Sequence, residues 1–124
     1  MKRLARDNME ILAAQLNPTV GAFKSNTAKV LDTLANARKS KAEIVVFPEL
    51  MLCGYPPEDL LYFADFATAV ANHLQMVIQA SANLFVVIGC VRKEGGQLYN
   101  SAAVIYDRQL LGYKDKTLLP THDV

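Results

Sequence analysis

Residues 43–49, EIVVFPE, and 84–91, LFVVIGCV, are unbroken apolar runs rich in β-branched side chains, the pattern of strands buried on both faces of a sheet. A third run, MEILAAQLN at 9–17, stops at the turn signal Asn17-Pro18. Between it and EIVVFPE the period changes. In NTAKVLDTLANARKSKA, Thr27, Val30, Leu31, Leu34 and Ala37 or Arg38 recur at helical spacing, and basic residues fill the last turn, where they suit the helix dipole. Strand, amphipathic helix and strand in that order predict a parallel βαβ unit.

Pro56-Pro57 followed by Glu58 and Asp59 makes a helix start, and Leu60, Phe63, Ala67, Val70, Leu74, Val77 and Ile78 continue a helical stripe with a break near Asp65. After LFVVIGCV, the stretch KEGGQ predicts a hairpin turn and LYNSAAVIYD at 98–107 the antiparallel return strand. RQLLGYKDKTLLP adds a further turn and strand ending at Pro120. The sum is an α/β chain with a mixed sheet, parallel at its centre, and helices enriched on one side. Such a sheet needs both faces covered. The 124 residues, which contain no internal repeat or domain boundary, therefore read as a fragment of one larger domain.

Thirteen Lys and Arg against twelve Asp and Glu give a net charge of +1, so neither nucleic acid nor an anionic membrane is implied as a partner. MKRLAR is followed by Asp7, Asn8 and Glu10, which interrupt any signal-peptide core, and no apolar run approaches the roughly 20 residues of a membrane span. Cys53 and Cys90 form neither a disulfide framework nor a CxxC zinc site, and a reducing cytoplasm is the expected location. His73 and His122 have no second ligand at metal spacing, and no metal is expected. Arg92, Lys93 and Glu94 before Gly95-Gly96 read as a solvated hairpin tip. The two glycines match no phosphate-binding loop.

Two acid–base candidates stand out. Glu49 follows a central strand, at the carboxyl end where open α/β sheets place their binding crevice. A solvated loop carboxylate is the plain alternative. In YKDKTLLP, Lys114 and Lys116 fall on one side of a strand and Asp115 on the other; if that side is the crevice, one ammonium stands beside Glu49. Cys53, among Met51, Leu52 and Gly54, has no neighbouring histidine to lower its pKa and reads as packing, as does Cys90.

The succession VVFPEL…GYPPEDLL, GC…LYNSAAVI and GYKDKTLLP, from about Met9 to the end, resembles the nitrilase (carbon–nitrogen hydrolase) superfamily, and GYPPEDLL resembles the glutaminase domains of glutamine-dependent NAD synthetases. The resemblance implies a four-layer αββα sandwich and a Glu, Lys, Cys triad. It makes Glu49 the general base and Lys116, the lysine followed by two residues and then Leu-Pro, the stabiliser of the charged transition state. Tyr55 is implied as a wall of the glutamine pocket, and His122 stands where the family often has a substrate-contacting Tyr. The family's nucleophilic Cys lies beyond this point, so neither Cys53 nor Cys90 matches it.

The chemistry suits these residue types. A thiolate attacking an amide needs a base that later protonates the departing ammonia, and a carboxylate at a buried strand end with a raised or balanced pKa can do both. A lysine then shares the oxyanion's charge with backbone N–H groups. The resemblance further implies L-glutamine as substrate, with ATP, magnesium and deamido-NAD handled by a C-terminal synthetase domain outside these residues, and a homo-oligomeric assembly. A stand-alone nitrilase-type amidase and a small non-catalytic α/β binding module are the alternatives.

Overall fold

The computed structural model describes residues 9–54 and 65–119. The Pro56-Pro57 helix start, Tyr55 and His122 lie outside the described residues. Seven elements follow in order: β1 (Ile11–Ala13), α1 (Phe23–Lys39), β2 (Ile44–Val46), α2 (Phe66–Gln79), β3 (Phe85–Glu94), β4 (Gln97–Tyr106) and β5 (Gln109–Leu118). They form one five-stranded sheet in the order β1-β2-β3-β4-β5, parallel from β1 to β3 and antiparallel from β3 to β5. The mixed α/β sheet expected from the sequence is present.

The strand order places the helices. Both crossovers, β1 to β2 and β2 to β3, step the same way along the sheet, and right-handed connections in the same direction put their helices on the same face. The helices accordingly pack side by side. Phe23 meets Phe66 edge-on at 5.7 Å and stacks on His73 at 5.6 Å, and Thr27 Oγ1 and His73 Nδ1 share a hydrogen bond of 3.0 Å. His73 thus ties the two helices together. The Arg38 guanidinium closes the other end by donating to the carbonyls of Ala80 and Ala82. Helix α1 begins three residues before the expected Asn26, and its buried stripe of Thr27, Val30, Leu34 and Ala37 matches the spacing read from the sequence.

The core lies between this helical layer and the sheet: Val30, Leu34, Val45, Val70, Val77, Val86, Ile88, Ala103 and Ile105 are essentially inaccessible. At about 1.5–3 kcal/mol for each large apolar side chain fully buried, this cluster dominates the stability of the fold. The other sheet face is open. Ile11 is 60% and Val46 37% exposed, and Phe85 and Tyr106 pair across strands at 4.8 Å with Tyr106 47% exposed. Strand β2 is therefore buried on one face only. EIVVFPE predicts burial on both faces, and within the described residues nothing covers the second.

Two hairpins carry the right-hand side of the sheet. Gly95 and Gly96, both with positive φ, turn β3 into β4 as KEGGQ predicts. Asp107 and Arg108 turn β4 into β5 with the same left-handed pair of conformations in non-glycine residues. Two hydrogen bonds hold that turn: Asn83 N–H donates to Asp107 Oδ1 at 2.9 Å, and Arg108 N–H to Ser81 Oγ at 2.8 Å.

Candidate functional site

After β2 the chain leaves the sheet edgewise and crosses the open face of β3. Phe47 N–H still donates to Val87 O at 2.8 Å, but residues 48–50 then ride directly over Gly89. Gly89 N–H donates to Pro48 O at 3.3 Å and Met51 N–H to Gly89 O at 3.0 Å. A Cβ at position 89 would lie 2.4 Å from Leu50 N, 2.6 Å from Glu49 Cα and 2.6 Å from Pro48 O, so only glycine fits. Leu50, its side chain buried, completes the crossing with φ of 51°, a left-handed conformation that costs an L-residue about 1–2 kcal/mol. Backbone held this way beside a polar group is a hallmark of functional sites.

Beyond the crossing, residues 51–54 are anchored to the loop before α1. Fully buried Asn26 accepts from Thr19 N–H at 2.8 Å and donates to Thr19 O at 2.8 Å and Leu52 O at 3.1 Å, while Gly21 N–H donates to Cys53 O at 2.9 Å. Glu49 is thus projected from a segment fixed at both ends.

Its carboxylate meets two donors on one oxygen. Lys116 Nζ lies 2.7 Å and Asn100 Nδ2 2.8 Å from Glu49 Oε1. The carboxylate's pKa is lowered from the ordinary value, chiefly by the Lys116 hydrogen bond and then by that of Asn100, with burial opposing. This corrects the expectation of a raised or balanced pKa at a buried strand end: Glu49 is 41% exposed and charge-paired. An ion pair this open contributes only about 0.2–1 kcal/mol to stability, so its significance is chemical.

Lys116 reaches Glu49 through an irregularity that alternation alone does not predict. Asn100 pairs with Thr117 and Ser101 with Asp115, so Lys116 is the extra residue of a β-bulge. The opposite side of the same rung is clamped. Arg92 donates bidentately to Asp115 at 2.8 Å through Nε and Nη2, Ser101 Oγ donates to Asp115 Oδ1 at 2.6 Å, and the guanidinium lies 5.2 Å from the Tyr99 ring and 5.0 Å from that of Tyr113. Arg92 is therefore no solvated hairpin tip. It welds β3 to β5 at the level where β5 bulges, and with Ser101 it holds Asp115 at a pKa of about 2.

The two thiols take no part. Cys53 and Cys90 are fully buried and free, and burial pushes each thiol up to about 12. Cys53 Sγ donates to Gly54 O at 3.1 Å. Among the described residues no group of three or more His, Cys, Asp or Glu side chains could hold a metal ion, and no described helix is long and apolar enough to cross a membrane. The structure brings Glu49 and Lys116 together, keeps Cys53 and Cys90 apart from them as packing, and adds Gly89 and Asn100. A lone glycine inside the LFVVIGCV strand signals close backbone approach. Asn100 has no comparable signal in sequence.

Comparison with known proteins bears on the fold and the family. A curated glutamine-dependent NAD(+) synthetase of Thermotoga maritima is 39% identical over 126 aligned positions, covering 100% of this chain and 21% of that protein. Among solved structures, a glutamine-dependent NAD(+) synthetase from Acinetobacter baumannii superposes with a TM-score of 0.76 at 35% identity over 94% of this chain and 22% of its own. One from Cytophaga hutchinsonii gives 0.84 at 24% identity over 90% and 19%, which bears on the fold. The 124 residues span about a fifth of the length of these proteins. The helical layer and mixed sheet of the described residues are part of the αββα nitrilase-like sandwich. The carbon–nitrogen hydrolase family profile matches residues 11–123, and the chain belongs to that family.

Proposed function

We propose that these residues are the glutaminase portion of a glutamine-dependent NAD synthetase, in which Glu49 is the general base and Lys116 the transition-state stabiliser for hydrolysis of L-glutamine. The observation that carries the reading is the Glu49–Lys116 pair, 2.7 Å apart at the carboxyl end of β2, in a chain 39% identical to a protein of that name. Held ionised by Lys116, Glu49 is ready to accept a thiol proton as sulfur bonds to the amide carbon. It returns that proton to nitrogen as the C–N bond breaks and ammonia leaves. It then takes a proton from the water that cleaves the thioester, and the thiol is restored. Lys116 Nζ, beside the carboxylate, offers fixed positive charge to the oxyanion of each tetrahedral step.

The nucleophile belongs, in this reading, to a cysteine outside the 124 residues, since both thiols within them are buried and protonated. ATP, magnesium and deamido-NAD are assigned to a synthetase portion also outside them, receiving the released ammonia. A cytoplasmic homo-oligomer is the expected setting. Tyr55 and His122, outside the described residues, remain candidates for contacts to glutamine.

The test is ammonia release in two preparations. The purified 124-residue chain is expected to release none from glutamine. A full-length glutamine-dependent NAD synthetase carrying these residues is expected to release it, to lose it with Glu49→Gln, and to prefer glutamine over simple aliphatic amides. Glu49-dependent release by the short chain would refute the placement of the nucleophile, and preference for a simple amide would favour a stand-alone amidase.

A further inference from the structure

We propose that Asn100 is the positioning residue of the Glu49 carboxylate: together with Lys116 it fixes Oε1 and so leaves Oε2 as the oxygen that exchanges protons with substrate and nucleophile. The proposal deepens the glutaminase reading and rests on it for the identity of the proton's partners. Both donors converge on Oε1, at 2.7 Å from Lys116 Nζ and 2.8 Å from Asn100 Nδ2, and no hydrogen bond from a described residue reaches Oε2. A carboxylate bound by a lysine alone can rotate about its Cγ–Cδ bond while the flexible ammonium follows. A second donor at a fixed position removes that freedom.

Asn100 is such a fixed donor. It is 5% exposed, in the middle of β4 and beside the rung clamped by Arg92 and Asp115. Its amide orientation is also determined. Asn100 Oδ1 is buried without a hydrogen-bond partner among the described residues, a situation that buried carbonyls ordinarily avoid. Rotating the amide by half a turn would set this oxygen against the Glu49 carboxylate and withdraw the donor, which is worse. The side chain therefore keeps an unsatisfied acceptor in order to present Nδ2 to Glu49. A residue chosen for packing alone at this buried position would be apolar.

The test follows the Glu49 side-chain carboxyl carbon by NMR pH titration in the 124-residue chain, alongside thermal unfolding. Lys116 is the one described cation bonded to Glu49, so Lys116→Met serves as the reference perturbation. With Asn100→Leu the Glu49 midpoint is expected to rise toward the ordinary carboxylate value, in the direction of Lys116→Met, while the unfolding midpoint holds or increases because the orphaned carbonyl is gone. With the isosteric Asn100→Asp the Glu49 midpoint is expected to rise as well, because two carboxylates then compete for one Lys116. A Glu49 midpoint unmoved by Asn100→Leu overturns the proposal, whatever happens to stability or in Asn100→Asp. None of these readouts requires glutamine turnover, so a failed glutaminase assignment and a failed positioning role are told apart.

Discussion

Replacing Gly89 by alanine tests the crossing that presents Glu49. The added Cβ would sit 2.4 Å from Leu50 N, and the nearest obstacles are backbone atoms on a segment anchored at both ends, so no side chain can swing away. Restoring ordinary contact requires moving residues 48–50 by about 1 Å, which interiors packed to crystal density resist. Over-packing of this kind costs about 1–3 kcal/mol. The same shift stretches or breaks the Gly89–Pro48 and Met51–Gly89 backbone hydrogen bonds, adding about 1 kcal/mol each. The expected loss is therefore about 3–5 kcal/mol out of the about 5–15 kcal/mol typical of a folded domain. At about 4 °C per kcal/mol for a chain of this size, the melting temperature should fall by about 12–20 °C. Urea denaturation measures the free energy, with Gly95→Ala as the comparison. At Gly95 no atom lies within 4 Å of the added Cβ, and only the left-handed φ is penalised, by about 1 kcal/mol. If Gly89→Ala costs no more than Gly95→Ala, the crossing is not held as described and the argument for glycine there fails.

Three further outcomes are expected. Both thiols should resist a disulfide reagent at pH 8 in the native chain and react at once in urea, since Cys53 and Cys90 are buried and raised to about 12; prompt native labelling would contradict their burial. Asp115 should titrate at about 2 rather than 3.8 because Arg92, and then Ser101, stabilise its charged form; with the folded pKa depressed, its contribution is complete above pH 3.8 and is lost as pH falls toward 2. Arg92→Gln should return Asp115 toward its ordinary value, and an NMR titration unchanged by that substitution would remove the clamp. Asn26→Ala should cost about 2–4 kcal/mol by urea denaturation, since it strands the buried carbonyl of Leu52 and removes both bonds to the Thr19 backbone; a loss under about 1 kcal/mol would show that water replaces the side chain freely.

What the sequence disclosed and what it hid divide along a physical line. The apolar runs of β2 and β3, the helical stripe from Thr27 to Ala37 and the Gly95-Gly96 turn are local patterns, and each became the element it implies. Glu49 and Lys116 were legible through motifs on either side of them. Asn100 was not, because its partner lies 51 positions away and its own segment reads as an ordinary strand. Arg92 was misread for the same reason: its position in a charged hairpin suggests solvent, whereas two tyrosines and Asp115, 23 residues on, enclose it. The exposed side of β2 shows the reverse limit. A β-branched run specifies what a strand tolerates on each face, and neighbouring elements determine which face is covered.

The path of residues 48–50 over Gly89 also bears on the order in which the molecule assembles. Strands β3, β4 and β5 are joined by two-residue turns and can zip together from local contacts in the microsecond range of hairpins. Glu49 reaches Lys116 across 67 positions, and its seat exists only after the parallel strand β2 has docked beside β3, a non-local pairing that forms slowly. The contact between Glu49 and Lys116 is therefore expected to form after the β3–β5 hairpins. The Glu49–Lys116 contact is a natural reporter for the docking of β2 beside β3.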